Sequence, residues 1–536
     1  HVSELPSTRD YGVEVFFQAG DNWRAWSSDD WLSVSPQDGN SGRNGIKLRT
    51  MTANRTRERR QATVTIESGG KQQTLKVWQR NDYALFDQRE YIVGVDGGEV
   101  NMTFQSNVPK DSLLIMFLQL GWYAWDADSL KTTRADDWHG RVKTAISGHN
   151  ISIIGQSMDK TIITTKPDKS IEGLGSADML QNSGSNLYLQ DLTLKNALDY
   201  YNAGSAGRAA VLQDAGTRTI GKNVRMLSYQ DTYYSSNNNQ QAYWESCDIH
   251  GTVDFICGGG DIRFQNCAIS LEPRALDGKG SRTITAPTTT TAFGYVFDSC
   301  RVLDLAEGMG TWNFGRTWQN EPICVFLNTT LSSDAAATII DTRWIEKGMN
   351  GKDPKLFGEY ATKDEAGNDI TPASNKINSH GGIFETILTA EQAAEFAYDK
   401  MFTDWNPAAL ARQIEAPADA KYDNGTVTFG LTDNGMQGCA LFKNGEIVGI
   451  STDGTFNITI DPANDALTIR AFTSIGALGS EAAVTGTVAT GISSLTTVPN
   501  RVESQLYNLQ GQRVSKATRG LYIVNGKKTL VKERLV

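Results

Sequence analysis

No stretch of this 536-residue chain is apolar for long enough to cross a bilayer. The longest apolar run lies near Leu113 to Leu120, far short of the roughly 20 residues that a spanning helix needs. The first residues do not read as a secretory leader, so a processed or recombinant start at His1 is expected. Proline is sparse, 13 residues against 51 glycines, which points to many tight turns between short strands. Cysteine is limited to Cys247, Cys257, Cys267, Cys300, Cys324 and Cys439, with no Cys-x-x-Cys pair. A zinc site is therefore not expected, and the six read as small buried hydrophobes. Basic charge is in deficit, 51 residues against 61 acidic ones, for a net charge of −10. Nucleic acid, which selects a basic surface, is not an expected partner. No metal or other cofactor is expected.

What is present reads as a multidomain, largely β protein. Apolar content of 39% and charged content of 21% are those of a globular chain. At 536 residues several domains are expected. Residues 1–82 alternate polar and apolar positions in Gln61-Ala-Thr-Val-Thr-Ile-Glu and Gln73-Thr-Leu-Lys-Val-Trp-Gln, the period of half-buried strands. Ser68-Gly-Gly-Lys-Gln between them predicts a hairpin turn. Trp26-Ser-Ser-Asp-Asp-Trp-Leu-Ser-Val-Ser-Pro-Gln-Asp-Gly, with Arg59-Arg-Gln-Ala-Thr-Val-Thr-Ile and Gln79, resembles a BACON-type β-sandwich, a module frequent on Bacteroidetes-type glycan-active proteins. Trp23, Trp26 and Trp31 then belong in a sandwich core. Residues 83–142 read either as a second sandwich or as a cap on the domain C-terminal to them, with a hairpin expected in Tyr91–Phe104.

From residue 143 a different pattern sets in. A small or polar residue recurs just before a buried one: Asp191-Leu192, Asn223-Val224, Ser246-Cys247, Asn266-Cys267, Ser299-Cys300 and Asn328-Thr329. Coils of about 20 residues with variable insertions are the signature of a parallel β-helix. The expected fold class is all-β, a right-handed parallel β-helix over 143–412 flanked by small β-sandwich domains. Thr389–Phe402 shows helical spacing, with Thr389 and Gln392 forming a capping box. Residues 413–487 return to short strands and turns such as Asp423-Asn-Gly and Lys443-Asn-Gly, as in an immunoglobulin-like sandwich. Residues 488–536 read as a Ser/Thr-rich linker and a C-terminal tail segment.

Two stretches carry chemistry: Tyr229-Gln-Asp-Thr-Tyr-Tyr-Ser and Gly251-Thr-Val-Asp-Phe-Ile-Cys-Gly. Asp231 and Asp254 are 23 residues apart, about one coil. Neighbouring parallel strands lie roughly 4.8 Å apart, so one coil sets two carboxyls side by side. Two such groups cannot both ionise easily, which leaves one carboxylate and one protonated acid as a coupled unit. A nucleophile beside a proton donor suits ester hydrolysis, and the Gln230 amide is a candidate donor to the oxyanion. The residues alone do not say which aspartate attacks.

At these positions the chain resembles the pectin methylesterase family. The family motifs Gly-Tyr-Gln-Asp-Thr-Leu, Asp-Phe-Ile-Phe-Gly and Leu-Gly-Arg-Pro-Trp appear here as Ser228-Tyr-Gln-Asp-Thr-Tyr, Asp254-Phe-Ile-Cys-Gly and Phe314-Gly-Arg-Thr-Trp, within about 143–408. The resemblance implies Asp254 as nucleophile and Asp231 as general acid then base. It implies Gln230 in the anion hole and Arg316 holding Asp254. Trp318, Tyr233 and Phe255 would line the sugar groove. The family places a further Gln before an Ala-Val-Ala-Leu stretch; this chain has Arg208 there, in Gly207-Arg-Ala-Ala-Val-Leu-Gln, with Gln213 as the near substitute. Arg208 would donate to the oxyanion or bind a uronate carboxylate. Cys257 stands where the family has an aromatic.

The expected partner is methyl-esterified pectin, homogalacturonan whose neutral ester groups the acidic protein does not repel. The expected setting is secreted, periplasmic or cell-surface, with a monomer as the working state. An esterase acting on acetylated or branched pectin is the alternative. A β-helix lyase needs a calcium-binding carboxylate cluster and a basic catalytic residue, and Asp231, Asp254 and Arg316 make no such set. Intact Asp254 and Arg316 speak against a non-catalytic glycan-binding protein.

Overall fold

The structure is a computed structural model. It describes residues 3–5, 12–52, 60–79, 144–146, 148–203, 206–432 and 434–487, with short strands inside 83–125 and 506–531. The chain divides into two compact units, 1–488 and 489–536. The described part of the second is a three-stranded antiparallel sheet of Leu506–Tyr507, Gly520–Val524 and Lys527–Val531. The expected linker over 488–501 lies outside the described residues. Among those described, no helix is long and apolar enough to cross a membrane.

The N-terminal region packs a five-stranded sheet against a three-stranded one. Alternation of the kind seen in Arg60–Ser68 buries Val64 and Val77 beside Trp23 and Trp31. Trp26 departs from the expected core position: it is half-buried, with the Arg24 guanidinium over its ring. Ser68 pairs with Lys71 across Gly69 and Gly70, both at positive φ, which is the two-residue turn that the strand twist favours.

The central region is a parallel β-helix. Seven strands stack in chain order: Thr144–Ile146, Leu180–Asn182, Leu212–Asp214, Tyr233–Ser235, Val253–Gly258, Ser281–Pro287 and Thr311–Gly315. Each pairs in parallel with the next. A longer, 17-stranded sheet supplies the other walls. Strands Tyr83–Phe86, Glu90–Val93, Leu114–Leu118 and Gly121–Trp125 join this long sheet in parallel, so the described part of 83–142 extends the stack. Glu90–Val93 pairs in parallel with Gly121–Trp125; the rest of the expected hairpin, from 94 on, lies outside the described residues.

The recurrent small or polar residue has a conformational cause. Asp191, Asn223, Ser246, Asn266, Ser299 and Asn328 all sit at φ between 52° and 55°. This left-handed region excludes bulky side chains, and Asn and Asp are enriched there. Each such corner turns the chain so that the next residue, Leu192, Val224, Cys247, Cys267, Cys300 or Thr329, points into the core. All six cysteines are free and buried. Stacked coils repeat like contacts inside, as in Phe264, Phe297 and Phe326, whose ring centroids lie 4.4 and 4.2 Å apart.

The segment expected as one helix forms two short ones, Ala390–Ala394 and Tyr398–Met401. The Thr389–Gln392 capping box is present. The break follows from docking: Arg263 donates to the Phe396 carbonyl at 2.8 Å, while Phe396, Met401, Phe402 and Trp405 pack on the outside of the long sheet. Beyond them, three- and four-stranded antiparallel sheets form a small sandwich with tight turns at Asn424-Gly425 and Asn444-Gly445. It docks on the long sheet through reciprocal hydrogen bonds between Gln190 and Leu478 and an Arg470–Asp191 ion pair of 3.1 Å. The seven-stranded face carries the candidate site.

Candidate active site

Alternation in the seven-stranded sheet sends Leu180, Leu212, Tyr233 and Ile256 into the core and leaves Gln181, Gln213, Tyr234 and Cys257 in register on the other face. Asp231 lies just before strand Tyr233–Ser235 at φ 60°, its amide donating to the Val253 carbonyl at 3.3 Å. Asp254 lies in strand Val253–Gly258 at φ 49°. There the register to the next strand slips: Val253 faces Thr283, but Ile256 faces Thr285. The extra residue is a bulge, a device that re-aims a side chain. Left-handed backbone at two non-glycine residues is a local cost that the surrounding coils must hold in place.

Arg316 follows strand Thr311–Gly315 and is anchored by its amide on the Thr285 carbonyl, 3.0 Å. Gly315 permits this approach, since a Cβ there would sit 2.0 Å from Thr285 Oγ1. The guanidinium grips Asp254 with two hydrogen bonds, Nε to Oδ1 at 2.9 Å and Nη2 to Oδ2 at 2.5 Å. Asp231 and Asp254 are only 5% and 6% exposed. No described residue hydrogen-bonds the Asp231 carboxyl.

The two acids therefore differ. Burial lifts the Asp231 carboxyl well above the usual range, and the Asp254 charge lifts it further, against the pull of Arg208 and Arg316. Burial also raises Asp254, but the Arg316 hydrogen bonds and charge, with Arg274 behind them, pull it back. The arrangement sets an acid held by a cation beside one without such a hold, so the charged form is favoured more at Asp254 than at Asp231.

Gln230 is buried next to Asp231, and no described residue bonds its side-chain amide. Arg208 bridges to Gln230 through the backbone. Its guanidinium is clamped by Glu172 through two contacts of 3.2 Å. Gln213 lies in the outer column, its carbonyl oxygen taken by Gln181 at 2.6 Å. Trp318 is half-buried and tilts against Tyr234, centroids 5.9 Å apart.

Two expected groove residues are elsewhere. Tyr233 and Phe255 are both 0% exposed in the β-helix core; Tyr233 packs edge-on against Trp244, and Phe255 covers Gly251. The left-handed turns at Asp231 and Asp254 reset the alternation, so Tyr234 faces out instead of Tyr233. Sequence reasoning also missed Glu172 and Asp178, which arrive from an irregular loop with no motif, and Arg274. Asp178 is buried, accepts from the Gly175 amide and Gln181, and raises Asp231. Tyr200 stacks on Tyr229 at 4.6 Å, beside Gln230. Among the described residues no group of three or more His, Cys, Asp or Glu side chains is arranged to hold a metal ion.

Residues 132–404, half of the chain, match the pectinesterase family profile. The chain belongs to the pectinesterase family. Pectinesterase A of Dickeya dadantii (strain 3937) is 28% identical over 302 residues, covering 49% of this chain and 80% of that protein. The probable pectinesterase/pectinesterase inhibitor 17 of Arabidopsis thaliana is 27% identical over 277 residues, covering 49% of this chain and 50% of that one. The match thus spans about half the length of this plant pectinesterase. Among solved structures, pectin methylesterase PemA from Erwinia chrysanthemi aligns with a TM-score of 0.45 at 21% identity, covering 60% of this chain and 99% of that one. Pectin methylesterase from carrot aligns with a TM-score of 0.44 at 20% identity, covering 56% and 88%. Residues 6–81 match the viral BACON domain profile.

Proposed function

We propose that this pectinesterase-family chain hydrolyses the methyl esters of homogalacturonan, with Asp254 as nucleophile and Asp231 as general acid and then base. The Asp254 carboxylate attacks the ester carbonyl carbon, and the carbonyl oxygen gains the negative charge. Gln230 and Arg208 supply donors for that oxyanion; one such donor is typically worth about 3–4 kcal/mol in the transition state. The C–O bond to methoxide breaks as Asp231 gives up its proton, and methanol leaves. Water then attacks the acyl-Asp254 anhydride while Asp231 takes a proton from it. The uronate departs and Asp254 is regenerated. Trp318 and Tyr234 offer an aromatic platform for a sugar ring.

The observation that carries this reading is the asymmetry of the pair. Asp254 is doubly hydrogen-bonded to Arg316, while Asp231 has no described hydrogen-bond partner and is raised further. That asymmetry favours Asp254 as the ionised attacker. The polymer is too large to enter a cell unaided, which favours a working place outside the cytoplasm. Methanol release from methyl-esterified pectin tests the proposal. The wild type is expected to release methanol, and Asp254→Ala to lose on the order of 10⁴-fold in kcat with its fold intact. New unsaturated, ultraviolet-absorbing ends without methanol would instead indicate a lyase.

A further inference from the structure

A pocket of about 680 Å³ opens at the downstream end of the strands that build the site, and the proposed reaction makes no use of it. Asn238 and Asn239 come from the loop after Tyr233–Ser235, Thr289 from the loop after Ser281–Pro287, and Asn320 and Glu321 from the loop after Thr311–Gly315. Lys352 and Asp353 close it from a later coil. Its volume lies within the roughly 300–1,000 Å³ of small-ligand pockets, but those are mostly apolar. No aromatic or purely aliphatic side chain lines this one.

The walls are braced. Gly260 N–H donates to Thr289 Oγ1 at 2.8 Å, Asn320 Nδ2 to the Thr288 carbonyl at 2.6 Å, and Thr290 Oγ1 to the Glu321 carbonyl at 2.8 Å. Asn350 Nδ2 donates to the Trp318 carbonyl at 3.0 Å, tying the pocket to the aromatic platform. By contrast, no described residue hydrogen-bonds or pairs with the side chains of Asn238, Asn239, Glu321 or Lys352. A rigid frame with unused amide, carboxylate and ammonium groups is pre-organised for a polar ligand.

We propose that this pocket receives a neutral glycosyl branch of the polymer whose backbone crosses Asp231 and Asp254, so that the substrate is a branched methyl-esterified polyuronate. This rests on the esterase reading and names its substrate class. Amide and carboxylate groups match vicinal sugar hydroxyls, and an apolar ligand finds no surface here. Glu321 and Asp353 line the pocket with one cation, Lys352, and Asp353 is already paired with His380 Nδ1 at 3.1 Å; the excess of carboxylate disfavours a uronate and leaves a neutral sugar. The absence of an aromatic anchor disfavours a protein partner. Asn320 is two residues beyond Trp318, so the chain sets them no more than about 7 Å apart. A short branch on a sugar stacked at Trp318 and Tyr234 spans that distance.

The test compares methanol release by the whole chain from linear methyl-esterified homogalacturonan and from methyl-esterified xylogalacturonan, whose xylose branches are neutral. The wild type is expected to favour the branched polymer by about tenfold in kcat/KM. Asn239→Trp fills the pocket from an exposed position; it is expected to abolish the preference and leave the rate on the linear polymer unchanged. No preference in the wild type, or an equal loss on both polymers in the variant, overturns the proposal. De-esterified xylogalacturonan, which cannot turn over, supplies an independent arm by calorimetry. Weaker binding to Asn239→Trp supports the pocket, and equal binding overturns it. Absence of methanol from both polymers would fell the esterase reading, and the calorimetric arm would still decide the pocket.

Discussion

Two arginine–carboxylate pairs, whose arginines lie on or just past neighbouring strands of one sheet, have opposite surroundings. Arg282, in Ser281–Pro287, is sealed from solvent and bonds both oxygens of Asp304. Asp304 also accepts from the Ala306 amide and Thr338, and Arg282 from its side donates to the Met309 and Thr311 carbonyls. Arg316 bonds Asp254 in the same bidentate way, but its side chain is 30% exposed, and a second acid without a described partner stands beside the pair. The first pair has its hydrogen bonds satisfied and only holds the coils together. The second is the same chemistry left incomplete on one side, the side on which the proposed substrate would sit. Burial and charge alone do not mark a site; an unsatisfied neighbour does.

The largest expected effect separates these two roles. Asp304→Ala strands a buried guanidinium and should cost about 3–5 kcal/mol of stability in denaturant unfolding, with methanol release per folded molecule unchanged. Lost activity at intact stability would erase the distinction. The next effect concerns the open side. Arg208 pulls the Asp231 carboxyl down. In the proposed reaction Asp231 carries its proton in the first step, so Arg208→Gln should move the alkaline limb of the pH–kcat profile to higher pH. A limb that stays put or moves down would remove Arg208 from the pair's electrostatics. The smallest effect is on stability near His250, which lies in the strand leading up to Asp254. Burial opposes its charge, but Asp248 and Glu272 raise it from about 6.5 to about 9. The folded state then holds a proton that the unfolded chain releases earlier. That stabilisation is complete below about pH 6.5 and is lost as pH rises through about 9. His250→Gln should flatten the fall of Tm across this window; an unchanged slope would show that the ion network contributes nothing.

The coil rhythm was legible because its cause is local. Only residues tolerant of left-handed backbone fit the corners, so Asp191, Asn223, Ser246, Asn266, Ser299 and Asn328 announce them. Asp231 and Asp254 stood out because a one-coil spacing converts separation along the chain into adjacency in space; Gln230 was flagged as the neighbour of Asp231, and Arg316, 62 residues from Asp254, only by the family motif in which it sits. Tyr233 and Phe255, given to the groove by the family resemblance, lie inward because the left-handed turns at Asp231 and Asp254 reset the alternation. Glu172 and Asp178 come from a loop without period. The break at Glu395–Ala397 is set by what the segment docks on, not by its own propensity.

In a stacked solenoid each coil touches only its neighbours, so the two ends can fray without disturbing the middle. The residues around Asp254 are drawn from consecutive interior turns, from Arg208 through Arg316, with further turns on either side. Those outer turns act as sacrificial padding. Damage at either terminus is absorbed before it reaches the acids, whereas a single opened turn between Leu212 and Gly315 dismantles the whole constellation at once.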